Sequence, residues 1–390
     1  FSKNLTSSYD VVGFDPRGVG ASTAVDCLTD AELDAERAGA NDPATPSAAA
    51  TQERAQKMGE ACASKTSPAG LLDHIDTISA AKDLDILRAV DGQQALTYLG
   101  FSYGTYLGAT YAELFPANTG RLVLDGAVDP SLSLGDRASG QAQGFETALR
   151  TYVQQCQSGQ AVQEGQSCPL TGGADAGVQQ VRTLISSADQ TPLKTSDPNV
   201  TVDGSTIRSV VRRFLYTSEY WSFLTYALDQ AITQKDGSYI QLLHGQVTAG
   251  GSTPTFYAVN CQDIPVQGDI TGWEKDYRQN LQSSPTFGAS LSNQDARCQA
   301  WGHSGTREPA PIHAKGAAPI LVVGTTGDPA TPYAWAQALA EQLESGQLLT
   351  WEGDGHTAYG RSGPCIHDAV DAYLTSGTVP EPGLICKSGQ

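Results

Sequence analysis

Two kinds of hydrophobic run alternate along this chain: short β-branched runs that end in glycine-rich turns, and longer stretches with apolar residues at helical spacing. The first short run, YDVVGF over 9–14, stops at the turn-rich DPRGVGAS and reads as a buried parallel strand with its loop at the carboxyl end. Residues 28–70, rich in Ala, Glu, Asp, Ser and Pro, read as a surface helix with loops. From Thr77 to Val90 the spacing predicts an amphipathic helix. ALTYLG then predicts a strand, TYLGATYAELFP a helix closed by Pro116, and RLVLDGAVDP another strand. Strand, helix, strand, helix, strand is the order of a parallel α/β sheet.

After Pro130 the pattern changes. Residues 131–300 hold helical stretches such as GFETALRTYVQQC and SFLTYALDQAI, joined by Gly/Ser-rich segments without strand alternation. The sheet pattern resumes at APILVVGTTGDPATP, continues through the helix YAWAQALAEQL and returns in QLLTWEGDGHT. The expected organisation is therefore an α/β core over 1–130, a mostly helical cap inserted over 131–305, and the rest of the core over 306–390.

Composition narrows the class. Hydrophobic residues at 39% and charged residues at 17% are those of a globular protein, and no apolar run approaches a membrane span. A net charge of −18 argues against nucleic acid, whose phosphates it would repel. The eight cysteines form no C-x-x-C pair and no zinc-like spacing with histidine, so the even, spread count predicts disulfides and secretion. Eight cysteines allow about 105 pairings. The short loop CQSGQAVQEGQSC favours Cys156–Cys168, and the other expected pairs are sequential neighbours: 27–62, 261–298 and 365–386.

The candidate chemistry lies in Gly100-Phe101-Ser102-Tyr103-Gly104, a G-x-S-x-G between a predicted strand and a small-residue helix. A residue on so sharp a turn stands proud of the sheet edge, and the crowding favours glycine on either side. The following helix offers its first amides, Tyr103 among them, to a developing oxyanion. A serine hydroxyl needs a base, and the base needs an orienting acid; in this arrangement the chain order is Ser, then Asp or Glu, then His. His74 precedes the serine, His244 and His303 lie in the insertion, His313 precedes a strand, and His367 opens a helix. His356, in GDGHT directly after LLTW, is the expected base. Asp328, after PILVVGTTG, is the expected acid, with Asp354 as its rival and helix capping as its plain alternative.

These segments together, YDVVGFDPRGVGAS, GFSYGTYLGATYAELFP, RLVLDGAVDP, LVVGTTGDPATPYAWA and GDGHT, resemble the secreted tripeptidyl-aminopeptidase family of α/β-hydrolases, relatives of the proline iminopeptidases. The resemblance implies a serine exopeptidase that releases short peptides from free amino termini. It puts Ser102 as nucleophile, Asp328 as acid and His356 as base, and matches a cap segment to AVNCQD with Cys261 and Asp263. The family's glycine-rich NPGGPG-like segment, source of a second oxyanion donor, has no counterpart here. The first strands are thus expected on a further polypeptide segment, cleaved but docked or outside this sequence. Losing one such donor costs about 100- to 1,000-fold in turnover.

An exopeptidase must hold the substrate's ammonium, and Asp263 and Glu219 (in YTSEYWSF) are the candidate carboxylates. Asp15 and Arg17 of the DPRG loop are open to either an approach to the site or a structural role. No metal or organic cofactor is called for. Two other readings stand beside the peptidase: an esterase, lipase or lactonase on the same triad, and a non-catalytic binder on a hydrolase scaffold.

Overall fold

The structure is a computed structural model describing residues 1–29, 31–33, 47–248, 253–305 and 307–387. Five parallel strands make its main sheet: β1 (Leu96–Phe101), β2 (Thr119–Asp125), β3 (Ile320–Gly327), β4 (Gly346–Asp354) and β5 (Ile385–Lys387), side by side in that order. Their pleat sends alternate residues to opposite faces. Leu122, Leu124, Ile320 and Val322 pack with Ala109, Ala112, Ala336 and Leu339, whereas Val123, Leu321 and Val323 pack with Ile366, Val370 and Leu374. Both faces are apolar because both are covered by helices, which is why these strands read as continuous hydrophobic runs.

The helices include α1 (Ala48–Lys65), α2 (Thr77–Val90), α3 (Tyr103–Leu114), α4 (Leu134–Gln157), α5 (Thr253–Asp263) and α6 (Gln294–Trp301). Two more follow in the carboxy-terminal part, α7 (Tyr333–Gln342) and α8 (Pro364–Ser376). Between β2 and β3 the chain is mostly helical, with one short antiparallel hairpin at 193–194 and 201–202. This insertion has a core of its own, built on Leu149, Val153, Val181, Ile185, Ile207, Val211, Trp221 and Leu224.

The expected strand at 9–14 does not form. The segment belongs to no sheet, and Val11 and Val12 are 49% and 77% exposed. A strand exists only by hydrogen bonding to a neighbour, and among the described residues none lies beside this segment; β1 is the sheet's edge. The expected surface helix within 28–70 is α1, while 30 and 34–46 lie outside the described residues. Instead of lying free on the core, α1 packs toward the insertion: Met58 and Cys62 share one cluster with Ala258, Cys261, Cys298 and Trp301. All four expected disulfides are present, 27–62, 156–168, 261–298 and 365–386, and no cysteine is free. No described helix is long and apolar enough to cross a membrane.

Candidate active site

The turn at Ser102 is forced by close packing. Ser102 has φ 54° and ψ −120°, a left-handed conformation that non-glycine residues seldom adopt, at the N-cap of α3. A Cβ on Gly100 would sit 2.5 Å from the Gly104 carbonyl oxygen, so only glycine lets strand and helix approach this closely. Four bonds hold the turn: the Ser102 amide donates to the Asp125 carbonyl (3.0 Å), the Thr105 amide (2.9 Å) and hydroxyl (2.6 Å) both donate to the Ser102 carbonyl, and the Tyr98 hydroxyl donates to the Gly104 carbonyl (2.8 Å). Ser102 itself is half-buried.

The ends of β3 and β4 carry the acid and the imidazole. Asp328 is 4% exposed and accepts the amides of Ala330 and Thr331 (2.9 Å each), the Thr331 hydroxyl (2.9 Å) and the Thr357 amide (3.2 Å). The His356 Nδ1 lies 3.0 and 2.9 Å from its two oxygens. The opposite ring nitrogen, Nε2, is buried and has no hydrogen-bond partner. Buried polar atoms are seldom left this way, and an imidazole held by a carboxylate at Nδ1 has its proton-accepting atom at Nε2. Tyr216 from the insertion stacks its ring edgewise on the imidazole (5.4 Å) and accepts the His356 amide (2.8 Å). The imidazole and the elbow share one rim of the sheet: a Cβ on Gly126, next to the residue that anchors the Ser102 amide, would lie 3.2 Å from His356 Cε1.

The rival acid is engaged elsewhere. Asp354 Oδ2 accepts the Gln155 amide at 2.8 Å, and burial raises its pKa. Of the remaining histidines, His303 pairs with Asp73, His313 with the Gln342 carbonyl, and His367 accepts the Gly360 amide. Arg17 grips Asp83 through two bonds (2.7 and 2.6 Å) and Asp15 accepts the Ala21 amide, so the DPRG loop is a structural tie to α2.

The two carboxylates expected to meet an ammonium differ sharply. Asp263 is 7% exposed and spends one oxygen on the Thr77 amide and the other on the Thr77 hydroxyl, both at 2.6 Å. It thus ties the end of α5 to the start of α2. Burial pushes its carboxyl up to about 6, against the two bonds from Thr77. Through the Thr77 hydroxyl the same network reaches the Tyr103 phenol at 2.6 Å. Glu219 is half exposed and pairs with Arg361 at 3.0 Å. Arg361 also donates to the carbonyls of His356 and Tyr216, which keeps Glu219 one residue from the histidine loop.

Models of two protein families match this chain: "alpha/beta hydrolase fold" over residues 1–167 and "TAP-like protein" over 284–386. The serine protease Hip1 of Mycobacterium tuberculosis is 32% identical across 98% of this chain and 76% of its own length. The chain belongs to the TAP-like α/β hydrolases. Carboxylesterase B of the same organism is 33% identical over 98% of this chain and 74% of that protein. The tripeptidyl aminopeptidase of Streptomyces lividans is 29% identical over 98% and 71%. The chain is accordingly a serine hydrolase by family.

Sequence reasoning missed one residue of this hydrolase's site. Asp125, at the carboxyl end of β2, is fully buried. Its oxygens accept the amides of Ala358 (3.0 Å) and Tyr359 (2.7 Å), and burial pushes its carboxyl up to about 7 against those bonds. It also lies between Ser102 and His356 in chain order, so the order rule that selected Asp328 gave a signal for Asp125 as well.

Proposed function

We propose that this protein is a serine exopeptidase with Ser102 as nucleophile, His356 as base and Asp328 as orienting acid. The observation that carries the reading is His356 itself, bound through Nδ1 to a buried carboxylate while Nε2 stays unpartnered at the rim where Ser102 turns. The Ser102 Oγ attacks the scissile carbonyl carbon as its proton passes to Nε2. The tetrahedral oxyanion is met by the Tyr103 amide, which as the first residue of α3 has no acceptor within the helix. Collapse expels the amine with the proton from Nε2, and water repeats the sequence on the acyl-enzyme.

Relatives named as a serine protease and a tripeptidyl aminopeptidase support a peptide substrate with a free amino terminus. Glu219, half exposed and joined to the histidine loop through Arg361, is the carboxylate we assign to the substrate ammonium. The relative named carboxylesterase favours one second reading, ester hydrolysis on the same triad. Kinetics on tripeptidyl-anilides, their amine-acetylated forms and short acyl esters separate the two. An exopeptidase cleaves the free-amine anilide best, and a marked preference for acyl esters would overturn that reading.

Two finer points belong with it. Four disulfides support secretion. The second oxyanion donor we assign to a strand supplied beside β1, whose outer edge pairs with no described strand. A polypeptide adding to that edge would raise fluorophosphonate labelling of Ser102 by about 100-fold or more. Full labelling by residues 1–390 alone excludes it.

A further inference from the structure

One residue touches both halves of the site without touching its chemistry. The Asp125 carbonyl accepts the Ser102 amide at 3.0 Å, which fixes the elbow. Its carboxylate, on the same residue, accepts the amides of Ala358 and Tyr359, two and three positions past His356. Successive amides of the histidine loop are thus shared out: His356 to the Tyr216 carbonyl, Thr357 to Asp328, Ala358 and Tyr359 to Asp125. Within this run Thr357 adopts φ 70°, a conformation that costs a β-branched residue free energy and persists only where its surroundings over-determine it. Both carboxyl groups are buried and both accept backbone amides of this loop, so together they hold it in a shape it would not take alone.

We propose that Asp125 is a positioning residue that sets the distance between the nucleophile elbow and the histidine loop, so that His356 Nε2 meets the Ser102 hydroxyl. The inference rests on the triad reading above and adds the element that links its members. Asp125 does not act as the triad acid, because its oxygens face backbone amides while those of Asp328 face the imidazole. Asp328 and His356 are the titratable groups that act on it electrostatically.

Asparagine with its oxygen in place of Oδ2 still reaches both amides, but puts an NH2 where Oδ1 accepted the Ala358 amide at 3.0 Å, so donor faces donor there at nearly constant volume. Asp125→Asn is expected to lower kcat by about 100-fold, the scale of a small misalignment, while KM stays within about threefold. The far-downfield proton resonance of the His356–Asp328 bond is expected to broaden or vanish in the folded variant. Wild-type kcat with that resonance unchanged would overturn the proposal. Ser102→Ala and Asp328→Asn are run in parallel: if both stay active, the triad reading fails instead. Should Asp125→Asn not fold, hydrogen exchange on the wild-type protein decides. The amides of Ala358 and Tyr359 must be protected by at least about 100-fold over free-chain rates, and unprotected exchange there refutes the clasp.

Discussion

The elbow and the histidine loop sit on one rim of the sheet but are built by opposite means. The elbow is mostly local: within six residues, two glycines, a helix start and two bonds from Thr105 to the Ser102 carbonyl impose the strained serine, and a single distant bond, to the Asp125 carbonyl, joins them. The histidine loop is long-range. Its amides go to Tyr216, Asp328 and Asp125, the last 233 positions earlier in the chain. A short motif can specify the first because steric exclusion acts between neighbours. Only a finished sheet can supply the second, since the acceptors lie on different strand ends.

That contrast can be broken at either end. The largest effect is expected from Asp328→Asn, which keeps the volume but removes the acceptor that orients the imidazole; kcat should fall by about 10⁴-fold with the fold intact. Loss of the folded state, seen by circular dichroism, would mean that Asp328 holds the loop up rather than tuning the base. Next comes Gly100→Ala, whose Cβ would meet the Gly104 carbonyl at 2.5 Å. It should cost about 1–3 kcal/mol of stability and most fluorophosphonate labelling, while leaving the histidine loop's exchange protection unchanged. Parallel loss of that protection would show that the two regions are one unit.

Smaller effects sharpen the picture of the cap. Glu219→Gln should lower kcat/KM on free-amine peptides by about tenfold, or about 1.4 kcal/mol, and leave acetylated esters nearly untouched. Equal losses on both substrates would remove Glu219 from ammonium recognition. Asp263→Asn can still accept from the Thr77 amide and donate to the Thr77 hydroxyl, so activity should stay within about threefold. Its signature is pH. Because burial raises the folded carboxyl to about 6 from an ordinary 3.8, the folded state binds the proton more tightly than the unfolded one. Stability from this group is therefore full below pH 3.8 and is lost as pH rises through about 6. Tm measured across that window should slope less steeply in Asp263→Asn than in the wild type; an unchanged slope would contradict the assignment.

Much of this is legible in the sequence. The apolar runs at 96–101, 119–125 and 320–327 became strands because helices cover both faces, and the candidates Ser102, Asp328 and His356 follow the ends of the strands at 96–101, 320–327 and 346–354. YDVVGF misled because β-propensity describes a side chain's fit to a sheet and says nothing of whether a neighbouring strand is there. The tie between Asp263 and Thr77 was not legible in sequence, because the two residues lie 186 positions apart. Asp125 was passed over because an acid ending a strand has no local mark that separates a backbone clasp from a solvated side chain.

Local sterics and periodicity were enough to read the α/β class, the sharp serine turn and the short-loop pair Cys156–Cys168, since each depends on residues close together in the chain. Which carboxylate faces the imidazole, which ones tie backbone together and which strand edge stays open were decided only by the tertiary structure. Hydrogen bonds act over about 3 Å, and the partners that settle those questions are brought within that reach only when the sheet and its insertion have folded.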